Sequence, residues 1–314
     1  MGLRTLLPAY WLSAFALAGP ARAQESNFDT VQVHSLRVAD GIHVLAGVGG
    51  NIGVAIGDSG VILVDDQYAP LTPKILAAVK ALTPLPVRFV LNTHWHGDHT
   101  GGNENMRGAG AVVVAHENVR KRMSTEQFLE MFNEKVPASP PSALPVVTFT
   151  DAVSFHFDGQ EIHAFHVRPA HTDGDVIVHF RTANVVHMGD IFFNGMYPYI
   201  DVASGGSVDG MVAAADRVLG MINSGTRVIP GHGPVTDRAA LQSYRDMLAA
   251  ARSRVMRHVA AGASLERVIA AKPTAQFDSI WGKGFFKPAQ FVEMLYSDLS
   301  RRKGAKRGSS RGRS

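Results

Sequence analysis

Four side chains able to ligate a metal fall within six consecutive positions, His94, His96, Asp98 and His99, in the run Thr93-His94-Trp95-His96-Gly97-Asp98-His99. Imidazole and carboxylate are the donors that hold a borderline-soft divalent ion such as zinc. In extended chain His94 and His96 point the same way and Trp95 the opposite way. Gly97 permits a turn that sends Asp98 and His99 to a second centre. The run is not repetitive, which separates it from a compositional His tract. Three further groups each end a strand-like run: His171 in His-Thr-Asp-Gly-Asp, Asp190 after Val185–Gly189, and His232 in Pro-Gly-His-Gly. Glycines beside Asp190 and His232 let the backbone turn sharply toward a shared point. Thr93 and Thr172 flank ligands and are placed to orient them by hydrogen bonds. His156, His163, His166, His179 and His187 fall inside strand-like runs and read as sheet faces.

The elements needed to carry these groups are legible around them. Gln32–Ala46 alternates as a strand pair, and Ile52–Ile56 and Val61–Val64 flank Gly57-Asp58-Ser59-Gly60 as a hairpin. Ile75, Leu76, Val79 and Leu82 have helical spacing within Thr72–Leu82, with Pro73 suited to the first turn. Val87–Leu91 reads as a buried strand that delivers the His-rich run at its C-terminal end. Ala111–Ala115 reads as a strand and Glu117–Phe132 as a helix, followed by a proline-rich loop at 137–145. Strand-like segments run from Val146 to Phe193. Helices are expected over Val208–Ile222, Asp237–Ala261, Leu265–Ala271 and Pro288–Arg301, with a short strand at Val228-Ile229. No short-period repeat is visible.

The chain has 314 residues, 46% hydrophobic content and no cysteine, so a metal site must be built from His and carboxylate alone. Arg4, the apolar stretch Leu6–Ala18 and Ala21-Arg22-Ala23 read as a secretory signal over 1–23, with cleavage near Ala23 and export to the periplasm or beyond. No later apolar run has spanning length, so no transmembrane anchor is expected. The expected order is signal peptide 1–23, one domain 24–300 and a basic, disordered tail 301–314. That tail and the signal hold nine of 31 basic groups and no acid, leaving 22 basic against 27 acidic groups in the body. The net −5 body argues against a specific nucleic-acid partner. The tail could touch anionic surfaces loosely.

In this order, H-x-H-x-D-H, a lone His before Thr, Gly-Asp and Gly-His resemble the metallo-β-lactamase superfamily across about residues 30–235. The resemblance implies an α/β fold, a four-layer αβ/βα sandwich, with a dinuclear metal site at one edge. It implies two Zn2+ per chain, with iron or manganese as alternatives. By position, His94, His96 and His171 would bind one metal and Asp98, His99 and His232 the other. Asp190 would bridge them, and Asp65 would support the motif loop.

Two zinc ions about 3.5–4 Å apart can hold a bridging hydroxide, because a metal lowers the pKa of bound water toward about 7. That hydroxide would attack a carbonyl carbon of a small-molecule ester, thioester, lactone, amide or β-lactam. Asp98 is the catalytic residue expected to orient it and shuttle its proton. Family β-lactamases with a Cys ligand carry it where Asp190 stands, so the chain resembles the glyoxalase-II-like or lactonase-like members more closely. A β-lactamase proper is the alternative, and an iron-dependent sulfur-compound oxidoreductase is the alternative from another class. A substrate pocket is expected at Asn194, Met196, Tyr197 and Tyr199, with Phe128, Met131 and Phe132 as an apolar lid.

Overall fold

The computed structural model describes residues 28–311, so the expected signal peptide lies outside the described residues. A 3-10 turn covers Phe28–Thr30, and the chain from Val31 onward forms its own compact unit. That unit begins with β1 (His34–Ala39), β2 (Ile42–Ala46), β3 (Ile52–Ile56) and β4 (Val61–Val64), a meander of antiparallel neighbours. Helix α1 (Thr72–Leu82) then crosses over to β5 (Val87–Leu91), which pairs parallel to β4. Short helices α2 (Gly97–Thr100) and α3 (Asn103–Gly108) precede β6 (Val112–His116), again parallel. After α4 (Glu117–Met123) come the hairpin strands β7 (Gln127–Leu129) and β8 (Glu134–Val136), and then β9 (Val147–Phe149), which completes a seven-stranded sheet.

The second sheet has six strands in chain order: β10 (Ala152–Phe157), β11 (Gln160–His166), β12 (Val176–Phe180), β13 (Val185–His187), β14 (Arg227–Ile229) and β15 (Thr236–Asp237). Helix α5 (Val208–Met221) makes the crossover between the parallel pair β13 and β14. Helices α6 (Arg238–Ala260), α7 (Leu265–Ala270), α8 (Asp278–Trp281) and α9 (Pro288–Arg311) close the chain.

Alternation along the strands explains the layering. Val44, Ile62, Val64 and Val114 from the first sheet meet Ile162, Ala164, Val178 and Phe180 from the second in one buried core. The opposite face of the second sheet, through Phe165, Ile177 and Val186, packs on α5, α6 and α9 through Val218, Tyr244, Leu248 and Leu295. Both sheets are mixed and flanked by helices, the expected four-layer architecture.

Two expectations need correction. The helix expected over Glu117–Phe132 ends at Met123, and 127–136 is a hairpin instead. Asn133 takes a left-handed φ of 50°, which asparagine tolerates and which turns the chain back. The basic segment from 301 is helical as far as Arg311, where disorder was expected. Arg301 is paired to Glu130 at 2.7 Å and Arg302 to Asp209 of α5 at 3.2 Å, which ties the start of that segment to the body.

Candidate metal centre

The strand topology brings one edge of each sheet together. β4 ends at Asp65 and Asp66, β5 at the His-rich run, β13 at Met188-Gly189-Asp190 and β14 at Pro230-Gly231-His232. These are the carboxyl ends of parallel strands, where loops of successive strands converge in α/β folds. His171 arrives from the loop between β11 and β12. The Val176 amide donates to the Thr93 carbonyl at 2.8 Å and stitches the two sheets at this point.

Two groups of inward-facing donors result. His94, His96, His171 and Asp190 form one, and Asp98, His99 and His232 the other, with the donor atoms of each group within 4.8 Å of one another. Asp190 lies between them. Its Oδ2 is 3.8 Å from His94 Nε2, 3.6 Å from His171 Nε2 and 3.3 Å from His232 Nε2, and its Oδ1 is 3.1 Å from His99 Nε2.

The outward nitrogens fix which nitrogen of each ring faces inward with a lone pair. His171 Nδ1 lies 2.9 Å from the Tyr199 carbonyl, which can only accept, so Nδ1 carries the proton. His96 Nε2 donates to the Asp201 carboxylate at 2.9 Å. His99 Nδ1 donates to Asp65 Oδ2 at 2.8 Å. Thr93 Oγ1 spends its hydrogen on Asp65 Oδ2 at 2.7 Å and therefore accepts from His94 Nδ1 at 3.0 Å. The inward atoms are then His94 Nε2, His96 Nδ1 and His171 Nε2, lone pair facing lone pair at 3.1 and 2.9 Å. Such a convergence needs a cation at its centre. Asp190 Oδ1, buried and without a hydrogen-bond partner, makes the same demand. The donor set therefore fits a pair of divalent ions.

Electrostatics separates the two groups. Burial pushes His94 well below the ordinary imidazole range, and the neighbouring His99 adds to this. Burial likewise takes His171 to about 4, against the pull of Asp190. Both rings are neutral and ready to ligate. In the second group burial opposes charge, yet the carboxylates win. Asp190 and Asp98 raise His99 well above its ordinary value and lift His232 to about 10. Asp190 is held well below the carboxylate range, since His232, His99 and His94 outweigh the cost of burial.

Close backbone approach frames this cluster. A Cβ at Gly50 would collide with the His99 ring, and one at Gly231 with Asp190 Oδ1. Asn51 clamps the His232 turn, its Nδ2 donating to the carbonyls of Pro230 at 2.9 Å and Gly233 at 2.8 Å. His187 in turn donates to the Asn51 carbonyl at 3.0 Å.

The other expected residues divide. Asp65 and Thr93 contact ligands as described. Thr172 works at one remove: its hydroxyl donates to Asp175, whose carboxylate also accepts the His171 amide at 2.6 Å. Tyr199 lies against the centre, its ring centroid 5.6 Å from that of His96. Asn194 is a brace, its side chain donating to the Pro234 carbonyl at 2.8 Å. Tyr197 does not line a pocket. It is fully buried, and its hydroxyl donates to Asp278 at 2.7 Å. An aromatic ring with a polar tip can be interior scaffold when the tip finds an acceptor.

Sequence reasoning missed Asp201, Asp175 and Asn51, and it read His187 only as the sheet face that it is, without its hydrogen bond to Asn51. Asp175 stood in the His-Thr-Asp-Gly-Asp run and was open to notice. Asp201 lies 105 residues from His96 with no pattern to join them.

Comparison with known proteins agrees with this geometry. The family model of the metallo-beta-lactamase superfamily matches residues 45–253. A Bacillus subtilis (strain 168) protein described as "Probable metallo-hydrolase" is 28% identical over 178 residues, covering 54% of this chain and 78% of its own. A metallo-beta-lactamase type 2 of Bacillus cereus is 24% identical over 190 residues, covering 60% of this chain and 69% of its own. Among solved structures, a metallo-beta-lactamase from Pontibacter korlensis superposes with a TM-score of 0.58 at 21% identity, over 69% of this chain and 99% of that one. The DIM-1 metallo-beta-lactamase gives 0.56 at 20% identity, over 70% and 98%. At that identity the structural likeness speaks for the fold alone.

Proposed function

The chain belongs to the metallo-beta-lactamase superfamily, and we propose that this metallohydrolase is an exported dinuclear zinc enzyme cleaving the acyl bond of a small ester, thioester or lactone. The observation that carries the reading is the set of inward lone pairs on His94, His96 and His171 facing a carboxylate, Asp190, shared with the second group. Bound there, the metal pair would supply an activated water at neutral pH and draw electron density from the acyl oxygen.

The chain's own residues supply the rest. Asp98 stands at the mouth of the site, its carboxylate 3.3 Å from His232 Nε2. A carboxylate there can accept a hydrogen bond from the attacking water, set its direction and take its proton. The same proton can then pass to the leaving oxygen or sulfur. Asp65 and Asp201 hold the ligand rings still, which keeps the donor geometry fixed through turnover. No cysteine or activated serine is required.

Export rests on the Ala21-Arg22-Ala23 site and the apolar stretch before it. Among the described residues no helix is long and apolar enough to cross a membrane. The test is zinc-loaded mature protein against an aryl ester, a thioester, an acyl-homoserine lactone and a chromogenic β-lactam, with metal content measured alongside. The reading expects ester, thioester or lactone turnover that a chelator abolishes and zinc restores. Turnover of the β-lactam alone would make it a β-lactamase proper. Iron in place of zinc, with sulfur-compound oxidation, would overturn the hydrolase.

A further inference from the structure

Beside the first ligand group stands an aromatic wall that metal chemistry does not explain. Tyr199 packs its ring on His96, and the rings of Phe132 and Phe286 pack on Tyr199 at 5.4 and 5.5 Å between centroids. Phe285 joins the cluster, 6.1 Å from Phe132 and 5.0 Å from Phe286. Tyr199 and Phe286 are buried, but Phe132 is 42% and Phe285 72% exposed. An interior packing cluster would hide its outer rings. This one hides the rings nearest the ligands and presents the others to solvent.

The wall is built into place. Phe132 comes from the turn between β7 and β8. Phe285 and Phe286 come from the loop between α8 and α9, beyond the last residue of the superfamily match at 253. That loop is anchored from below by the Tyr197 amide donating to the Trp281 carbonyl at 2.8 Å and by the Tyr197 hydroxyl on Asp278. Gly284 is needed because a Cβ there would strike Met196. Two of its four rings thus lie within the superfamily match and two beyond it, and the contacts to Tyr197 and Met196 hold the loop that carries the latter pair.

We infer that the Tyr199, Phe132, Phe286 and Phe285 wall is the subsite for an apolar alkyl or aryl acyl group of the substrate. This rests on the reading of the centre as an acyl hydrolase and adds the substrate class to it. Continuity with the ligands decides the occupant: the cluster runs from the His96 ring through buried Tyr199 to Phe132 and Phe285, whose free faces an apolar group extending from the centre can cover. Aromatic faces gain by covering apolar surface and discriminate little among shapes, so chain length matters more than branching.

The test measures binding and turnover separately. Calorimetry on the zinc-loaded protein uses acetate, butanoate, hexanoate and octanoate, which are product-like and need no catalysis. Affinity should rise about threefold to fourfold per added methylene, the gain from removing a methylene from water. Phe132→Ser and Phe285→Ser, both at exposed positions, should flatten that series, and the double variant should flatten it most. The kcat/KM values for aryl esters of the same four acids should follow the same slope. A wild-type affinity independent of chain length, or an unchanged slope in the double variant, would overturn the subsite. So would sedimentation showing a dimer that Phe285→Ser dissociates, since a second copy would then be the occupant. Length-dependent binding without hydrolysis of any ester would uphold the wall and defeat the hydrolase reading instead.

Discussion

His94, His96 and His171 are 1%, 6% and 0% exposed, whereas the Asp98 and His232 side chains reach 21% and 24%. The first group is three imidazoles whose outer nitrogens are tied to Thr93, Asp201 and a backbone carbonyl. The second shares its space with the carboxylates of Asp98, Asp190 and Asp65. Burial therefore wins at His94 and His171, and charge wins at His99 and His232. The contrast assigns different work to each side. The first group is a rigid, sealed cage suited to permanent occupancy. The second is a polar mouth where an ion, water and substrate can meet.

Breaking the element common to both should have the largest effect. Asp190→Ala is expected to abolish turnover and to lower metal content below two per chain, read by elemental analysis. Next come single-side variants. His94→Ala should empty the centre, because the sealed cage loses a donor. His232→Ala should leave one metal per chain and a residual rate, and partial chelation of the wild type should likewise strip the exposed side first. Equal metal loss in both variants would erase the distinction between the groups.

Asp201→Ala probes the cage from behind. It frees the His96 ring to rotate and to change tautomer, and should cost about 10–100-fold in metal affinity. A titration sharpens the electrostatic contrast. The carboxylates of Asp190 and Asp98 lift His232 to about 10 and push His99 in the same direction, so without metal His232 holds a proton at pH 7 that an incoming ion must displace. Metal affinity should rise with pH through the neutral range. Calorimetry in buffers of different ionisation enthalpy should show proton release on loading, and His232→Gln should release fewer protons than the wild type. The smallest effect belongs to Tyr197→Phe. Losing its hydrogen bond to Asp278 should cost about 1 kcal/mol of stability. Binding of acetate should not change, as measured by denaturation and calorimetry.

The same contrast explains what the sequence disclosed. Four of seven donors were contiguous on one loop, and the other three each ended a strand beside a turn, so spacing and strand ends found them. The layered fold followed from alternating runs such as Ile52–Ile56 and Val61–Val64. What stayed hidden depends on tertiary approach. Asp201 is recognisable only once its loop closes on His96, and Tyr197 reads as a pocket residue until Asp278 is seen beneath it. Residues 127–132 of the hairpin read as helix because Phe128, Met131 and Phe132 have near-helical spacing. Asn133 turns the chain there, and two three-residue strands are too short to show an alternation.

Asp190 is the donor placed to serve both groups at once. Anomalous diffraction from crystals of the zinc-loaded protein tests that directly. Two peaks are predicted, one among His94, His96 and His171 and the other among Asp98, His99 and His232, with the Asp190 carboxylate contacting both. A single peak, or two peaks with Asp190 on only one, would contradict it.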